Sequence, residues 1–200
     1  MEKTKKRQSK KLPKILSRQD VKKLLAVPNV RCITGLRSRV IIQVLYRAGL
    51  RAEELCNLAP ADVNLADGFV YVQQGKNSKD RYVPIDKITI NWLRKWDEVR
   101  PDVPFFFCSG KGKKLDQSYI RKIIYQAAEK AGVYIQDGRE RVLPHPHTLR
   151  HCYATELLEE GYTLADVQAL LGHSSITTTS VYLHVRPLAL AAKIKEREAI

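Results

Sequence analysis

Only one stretch of this chain reads as a pair of β-strands joined by a turn. Residues 69–74 and 81–85 are rich in Val and Tyr, and the six polar residues GKNSKD separate them. That pattern predicts an antiparallel hairpin. Elsewhere the apolar residues recur at helical spacing. A helix is expected over 18–26, where Ser17 can cap it with Asp20 three residues on and Leu16 can staple against Val21. A second, over 37–48, should end at Gly49 in a left-handed C-terminal turn. Further helices are expected at 52–58, 88–99, 117–131, 146–160, 163–171 and 176–184, with another after 187 and a short strand around 105–108. The fold class that follows is mainly α with a small antiparallel β-sheet.

The 200 residues suit one ordinary domain, and 44% hydrophobic with 28% charged residues is a globular composition. Thirty-five Lys and Arg against 21 Asp and Glu leave a net charge of +14. A domain this basic repels itself unless an anion screens it, and nucleic acid is the usual partner. Residues 1–14 hold seven of the basic residues, one acidic residue and almost nothing apolar, which predicts a flexible basic tail. No apolar run approaches the ~20 residues that span a bilayer. The basic N-terminus lacks the apolar core of a signal peptide. A cytoplasmic, nucleoid-associated protein with no membrane partner is therefore expected. Cys32, Cys56, Cys108 and Cys152 stand singly, without CxxC spacing, and read as small buried hydrophobes.

All five histidines follow residue 144, three of them in PHPHTLRH. With Pro146 opening a helix, His147, Arg150 and His151 fall at i, i+3 and i+4 on one face. Leu149, Cys152, Tyr153 and Leu157 form the core face. A basic face at a helix N-terminus, where free N–H groups already favour an anion, suits a phosphate. His147 and His151 also have the spacing of a zinc helix. However, Thr148 stands where a zinc protease carries Glu, and an Arg among the ligands repels a cation. No metal and no cofactor is expected.

HTLRH followed by LLGHSSITTTSVY resembles the signature of the tyrosine recombinases, the phage-integrase and Xer-type enzymes. Upstream, YRAGLRAEEL is similar to the segment carrying that family's first catalytic Arg, and GKNSKDRYVPI to the hairpin carrying its catalytic Lys. The resemblance runs in order over residues 16–185. It implies the recombinase catalytic fold over 15–186 and a catalytic set of Arg51, Lys76, His147, Arg150, His173 and Tyr182, with Glu54 as companion to Arg51.

Each residue type fits the implied reaction. Attack by the Tyr182 phenol on a phosphodiester puts charge on the non-bridging oxygens, which Arg51 and Arg150 can hold bidentately. Their charge does what a metal does in many other phosphoryl-transfer sites. Lys76 protonates the leaving 5′-oxygen, His147 takes the phenol proton, and His173 hydrogen-bonds the phosphate. One ester replaces another, so no ATP is needed.

The expected partners are double-stranded DNA and further copies of the chain in a tetramer. Residues 187–200, with Leu188, Leu190, Ala191 and Ile194 as an apolar stripe, would pack on their own domain or dock on a neighbouring protomer. Two departures from the family pattern stand out. Asn77 replaces the second Gly of the usual GKG, and Lys79 competes with Lys76 for the proton-donor role. Many members also carry a helical domain ahead of the catalytic one, whereas here about 15 residues precede the first helix. A short enzyme, similar in length to the fimbrial phase-switch invertases, and a fragment of a longer one both fit. The remaining alternatives are an accessory DNA-binding protein of the same fold, a type IB topoisomerase and a metal-dependent nuclease.

Overall fold

A computed structural model of the chain describes residues 15–73, 80–137 and 139–172. Lys76, Lys79, His173, Tyr182, the basic tail 1–14 and the segments at 176–184 and 187–200 lie outside the described residues. In chain order the elements are α1 (Arg18–Ala26), α2 (Ile33–Arg47), α3 (Ala52–Asn57), a 3-10 turn (Pro60–Asp62) and β1 (Val63–Asn64). After these come β2 (Phe69–Val72), β3 (Arg81–Pro84), α4 (Lys87–Asp97), α5 (Gln117–Ala131), β4 (Ile135–Asp137), β5 (Glu140–Val142), α6 (Pro146–Glu159) and α7 (Leu164–Leu171).

Helix α2 is the axis of the fold. It packs against α1, α3, α4, α5 and α6 and is buried almost all round, with Val40, Ile41, Val44 and Leu45 wholly inaccessible. A helix surrounded this way must satisfy its own polar side chains. Arg37 donates to the Cys108 carbonyl (2.7 Å) and the Tyr119 hydroxyl (2.6 Å), and Gln43 donates to Thr89 Oγ1 (3.1 Å). The helix starts four residues earlier than its apolar spacing indicates, because Gly35 interrupts the pattern. A Cβ there would lie 2.0 Å from the Asn29 carbonyl oxygen, so the glycine admits the preceding turn. Gly49 ends this region as expected, at φ +62°. Ser17 caps α1 by accepting the Asp20 N–H at 3.1 Å, with Leu16 and Val21 buried beside it.

The hairpin pairs β2 with β3 in the register Val70↔Val83, and β1 adds a third antiparallel strand beside β2. The expected strand at 105–108 does not form; Cys108 makes one isolated bridge to Lys114. Pro104 has no N–H to give to a ladder, and the next backbone groups are taken elsewhere. The Phe106 N–H donates to the Leu58 carbonyl (2.7 Å), and Trp96 Nε1 donates to the Phe106 carbonyl (2.8 Å). Phe106 and Phe107 are core residues without being a strand. Cys56, Cys108 and Cys152 are buried as expected, but Cys32 is exposed. It precedes α2 in an exposed turn, where its thiol bonds the Asn29 carbonyl at 3.2 Å.

The second half of α6 and α7 build a smaller cluster of Tyr153, Leu157, Leu158, Tyr162, Val167 and Leu171. Gly49 is the seam between it and the main core. A Cβ at Gly49 would meet the Tyr153 ring at 2.5 Å and Leu171 at 2.8 Å. Two side chains from the small cluster thus close directly onto the turn that precedes Arg51.

Candidate active site

Two helix starts and the side of a third helix line one cleft of about 310 Å³. Arg51, Ala52 and Glu53 come from the start of α3; His145, Pro146 and His147 from the start of α6; Gln117, Arg121 and Tyr125 from α5. Pro146 at the first helical position presets α6, and the His145 N–H donates to Thr148 Oγ1 at 3.2 Å. That leaves His147 exposed in the first turn, at the positive end of the helix dipole.

Beneath the cleft, Glu54 gathers three arginines. As the third residue of α3 it reaches back to accept the Arg51 N–H at 2.7 Å, the return half of a capping box. Its other oxygen accepts from Arg51 Nη1, also at 2.7 Å. Arg81, the first residue of β3, donates to both carboxylate oxygens at 3.0 and 2.9 Å. Arg150 Nη1 stands 3.9 Å from the same carboxylate. Burial alone would push the Glu54 carboxyl up, but Arg81, the Arg51 N–H and Arg150 outweigh it and hold the carboxyl below its ordinary value.

The same three arginines converge on three consecutive carbonyls at the C-terminal end of α7. Arg81 donates to Leu170 (2.8 Å), Arg150 to Leu171, and Arg51 to Gly172 (3.2 Å). Terminal helix carbonyls lack intrahelical partners and carry the negative end of the dipole, so cations satisfy them well. Arg150 also donates to the Gly49 carbonyl. It therefore joins α6, α7 and the turn after α2.

Arg51 thus comes together with His147 and Arg150, which lie about a hundred residues further along the chain. The expectation of a shared solvent face needs correction at Arg150, which is 4% exposed. Its long side chain runs inward to backbone carbonyls, whereas His147 faces the cleft. Arg51 keeps 35% of its side chain exposed and meets the cleft directly. Although its edge is open to the cleft, the ring is partly desolvated by the cleft walls, and this, then Arg150, Arg51 and Arg121, lowers the His147 pKa, which favours the neutral imidazole that can accept a proton. No three His, Cys, Asp or Glu side chains form a metal-binding group among the described residues.

Sequence reasoning missed Arg81, together with Gln117, Arg121 and Tyr125 on the cleft wall. Arg81 did leave a signal: it shares the inward phase of β3 with Val83, where a charged residue is unexpected. The three α5 residues recur every four positions, but their composition sets them apart from no other helix face.

Arg51, open to the cleft beside the His147 imidazole at a helix start, can bind an anion, and the positive charge of the buried Arg81 and Arg150 behind it favours added negative charge there. The model of the phage integrase family matches residues 14–188. The chain is 39% identical over 196 residues to tyrosine recombinase XerA of Thermococcus kodakarensis, covering 93% of this chain and 65% of that protein. It is 41% identical over 183 residues to tyrosine recombinase XerD of Staphylococcus saprophyticus, covering 88% and 59%. The chain thus spans about three-fifths of the length of these curated relatives. Among solved structures, a XerA recombinase superposes with a TM-score of 0.74 at 29% identity, covering 96% of this chain and 68% of that one. A XerH recombinase bound to its difH substrate before cleavage gives 0.71 at 29% identity, covering 87% and 51%. With its mainly helical fold, its converging arginines and a family match from residue 14 to residue 188, the chain belongs to the phage integrase family of tyrosine recombinases.

Proposed function

We propose that this protein is a site-specific DNA recombinase that cuts and rejoins double-stranded DNA through a 3′-phosphotyrosyl bond to Tyr182. The observation that carries this reading is the arrangement of Arg51 and Arg150 on Glu54, beside His147 in an open cleft. A scissile phosphate seated there meets Arg51 directly and gains further stabilising charge from Arg150 buried behind it, without a metal ion. The Tyr182 oxygen bonds to phosphorus as its proton passes to His147. The bond from phosphorus to the 5′-oxygen breaks, and Lys76 protonates that oxygen. His173, the residue after Gly172, hydrogen-bonds the phosphate. Attack by a 5′-hydroxyl on the phosphotyrosine reverses these steps, so ester energy is conserved and ATP is not required.

Residues 15–186 form the catalytic domain in this reading. The basic tail 1–14 adds sequence-independent contacts to DNA phosphates, and 187–200 docks on a neighbouring protomer within a tetramer on nucleoid DNA. Among the described residues, no helix is long and apolar enough to cross a membrane.

The test is direct. A duplex selected from a random-sequence pool by the full chain is nicked near its centre, so that the short cleaved fragment diffuses away. The protein should accumulate a covalent DNA adduct in EDTA as readily as in magnesium, and Tyr182→Phe should form none. Recombined products from two such sites distinguish a recombinase from a topoisomerase, which gives relaxed circles only. Strict metal dependence without an adduct refutes the proposal.

A further inference from the structure

We propose that Arg81 is a positioning residue of the active site, setting the plane of the Glu54 carboxylate and through it the positions of Arg51, at the cleft, and Arg150, buried behind it. This rests on the recombinase reading above. A buried guanidinium is costly unless its donors are met, and Arg81 is 8% exposed. Its Nε donates to the Leu170 carbonyl at 2.8 Å, and its two terminal nitrogens take one Glu54 oxygen each, at 3.0 and 2.9 Å. This parallel fork fixes a carboxylate in orientation as well as in place.

Orientation matters because both Glu54 oxygens have further duties. Oε1 receives Arg51 Nη1, while Oε2 receives the Arg51 N–H and faces Arg150. Rotating the carboxylate weakens its hold on both arginines. The bond to Leu170 ties the same guanidinium to α7, whose next two carbonyls hold Arg150 and Arg51. Arg81 thus braces the arginine pair from two sides. Lysine has the charge but not the fork, so it cannot replace Arg81 in this role.

The test uses the full chain and the selected, nicked duplex at saturating concentration, reading the rate of adduct formation. Arg81→Lys should slow it about tenfold or more, with DNA affinity changed by less than about threefold. Three scissile groups then locate the defect. On a methylphosphonate, which lacks one anionic oxygen and needs less from the arginines, the loss caused by Arg81→Lys should shrink to about threefold or less. On a 5′-thiolate leaving group, which needs no proton, the full loss should remain. Adding ethylguanidinium to Arg81→Ala should restore much of the rate on the ordinary phosphodiester, whereas ethylammonium should not. If Arg81→Ala does not fold, the Arg81→Lys series decides alone.

An equal loss on phosphodiester and methylphosphonate overturns the proposal in favour of a purely structural ion pair. Rescue by the 5′-thiolate overturns it in favour of a role in holding the Lys76 turn. Wild-type rates in Arg81→Lys also overturn it. If the unaltered chain forms no adduct with any of the three groups, the recombinase reading itself fails and this inference falls with it.

Discussion

The fold holds two buried ionic clusters, one at the end of α2 and one around Glu54 in α3, and they are built on opposite principles. At Arg47 the charges balance once Arg18 is counted, two arginines facing two carboxylates. Arg47 Nε donates to Asp86 at 2.8 Å, and its Nη1 lies 3.7 Å from Glu156, which also accepts from the Tyr46 hydroxyl and approaches Arg18. Arg47, Asp86 and Glu156 are all under 10% exposed. Around Glu54, three guanidinium groups share one carboxylate, and one of them opens onto a cleft. A balanced cluster needs nothing further and serves the fold. An unbalanced one stays folded by leaning on helix carbonyls, and its surplus charge is available to an anion.

This contrast can be broken in several ways. The largest effect is expected at the balanced cluster, where Arg47→Met strands two buried carboxylates. Urea unfolding should register a loss of about 3–5 kcal/mol, while the folded fraction should form the DNA adduct within twofold of the normal rate. A chemical defect as large as that of an active-site arginine would erase the distinction. Next, Arg150→Ala or Arg51→Ala should slow adduct formation by roughly a hundredfold or more, since each stabilises charge present mainly in the transition state. Unchanged kinetics in either variant would move the phosphate site elsewhere.

A smaller effect concerns His151, half-buried behind His147. Burial, then the neighbouring His147, His145 and Arg150, push its pKa down from 6.5 to about 4. The unfolded chain therefore takes up this proton first as the pH drops. Folding stability should decline between about pH 6.5 and 4, by about 2 kcal/mol after allowing for partial solvent screening. His151→Gln should flatten that part of the profile. An unaltered acid limb in the variant would show that His151 is not its source. The activity profile should follow His147 in the same sense, holding its rate to a pH below the ordinary histidine value.

The smallest expected effect comes from inorganic phosphate. At several times its dissociation constant it should raise stability by about 1 kcal/mol, a few degrees in Tm. The shift should persist in Arg47→Met and vanish in Arg51→Ala. Equal shifts in both variants would mean that phosphate screens net charge without occupying the cleft.

Most helices were legible because caps and breakers flank them. Asp116 and Gly132 bracket α5 at the expected ends, and Gly49 stops α2. The main hairpin was legible because two Val- and Tyr-rich runs flank one polar turn. Elements β1, β4 and β5, two or three residues each, are too short to carry a period. The run of three Phe residues misled because burial and strand formation are separate properties: Leu58 and Trp96 took the backbone bonds a neighbouring strand would have supplied. For the site, spacing put His147 and Arg150 on one helix face and the family resemblance singled out Arg51, but neither showed that Arg150 would be buried. Arg81 was hidden because its importance lies in Glu54, 27 residues away, and no local pattern reports such a pairing.

The three arginines on the last carbonyls of α7 also bear on how the chain can vary in length. Each residue added inside an α-helix turns everything beyond it by about 100°. One insertion or deletion within Leu164–Leu171 would swing the carbonyls of Leu170, Leu171 and Gly172 off all three guanidinium groups at once. The turns at 64–68 and 109–113 lie outside the arginine cluster, so a change of length there leaves all three of these contacts in place. Among descendants of this sequence, length changes should therefore accumulate in those turns and stop at the threshold of α7.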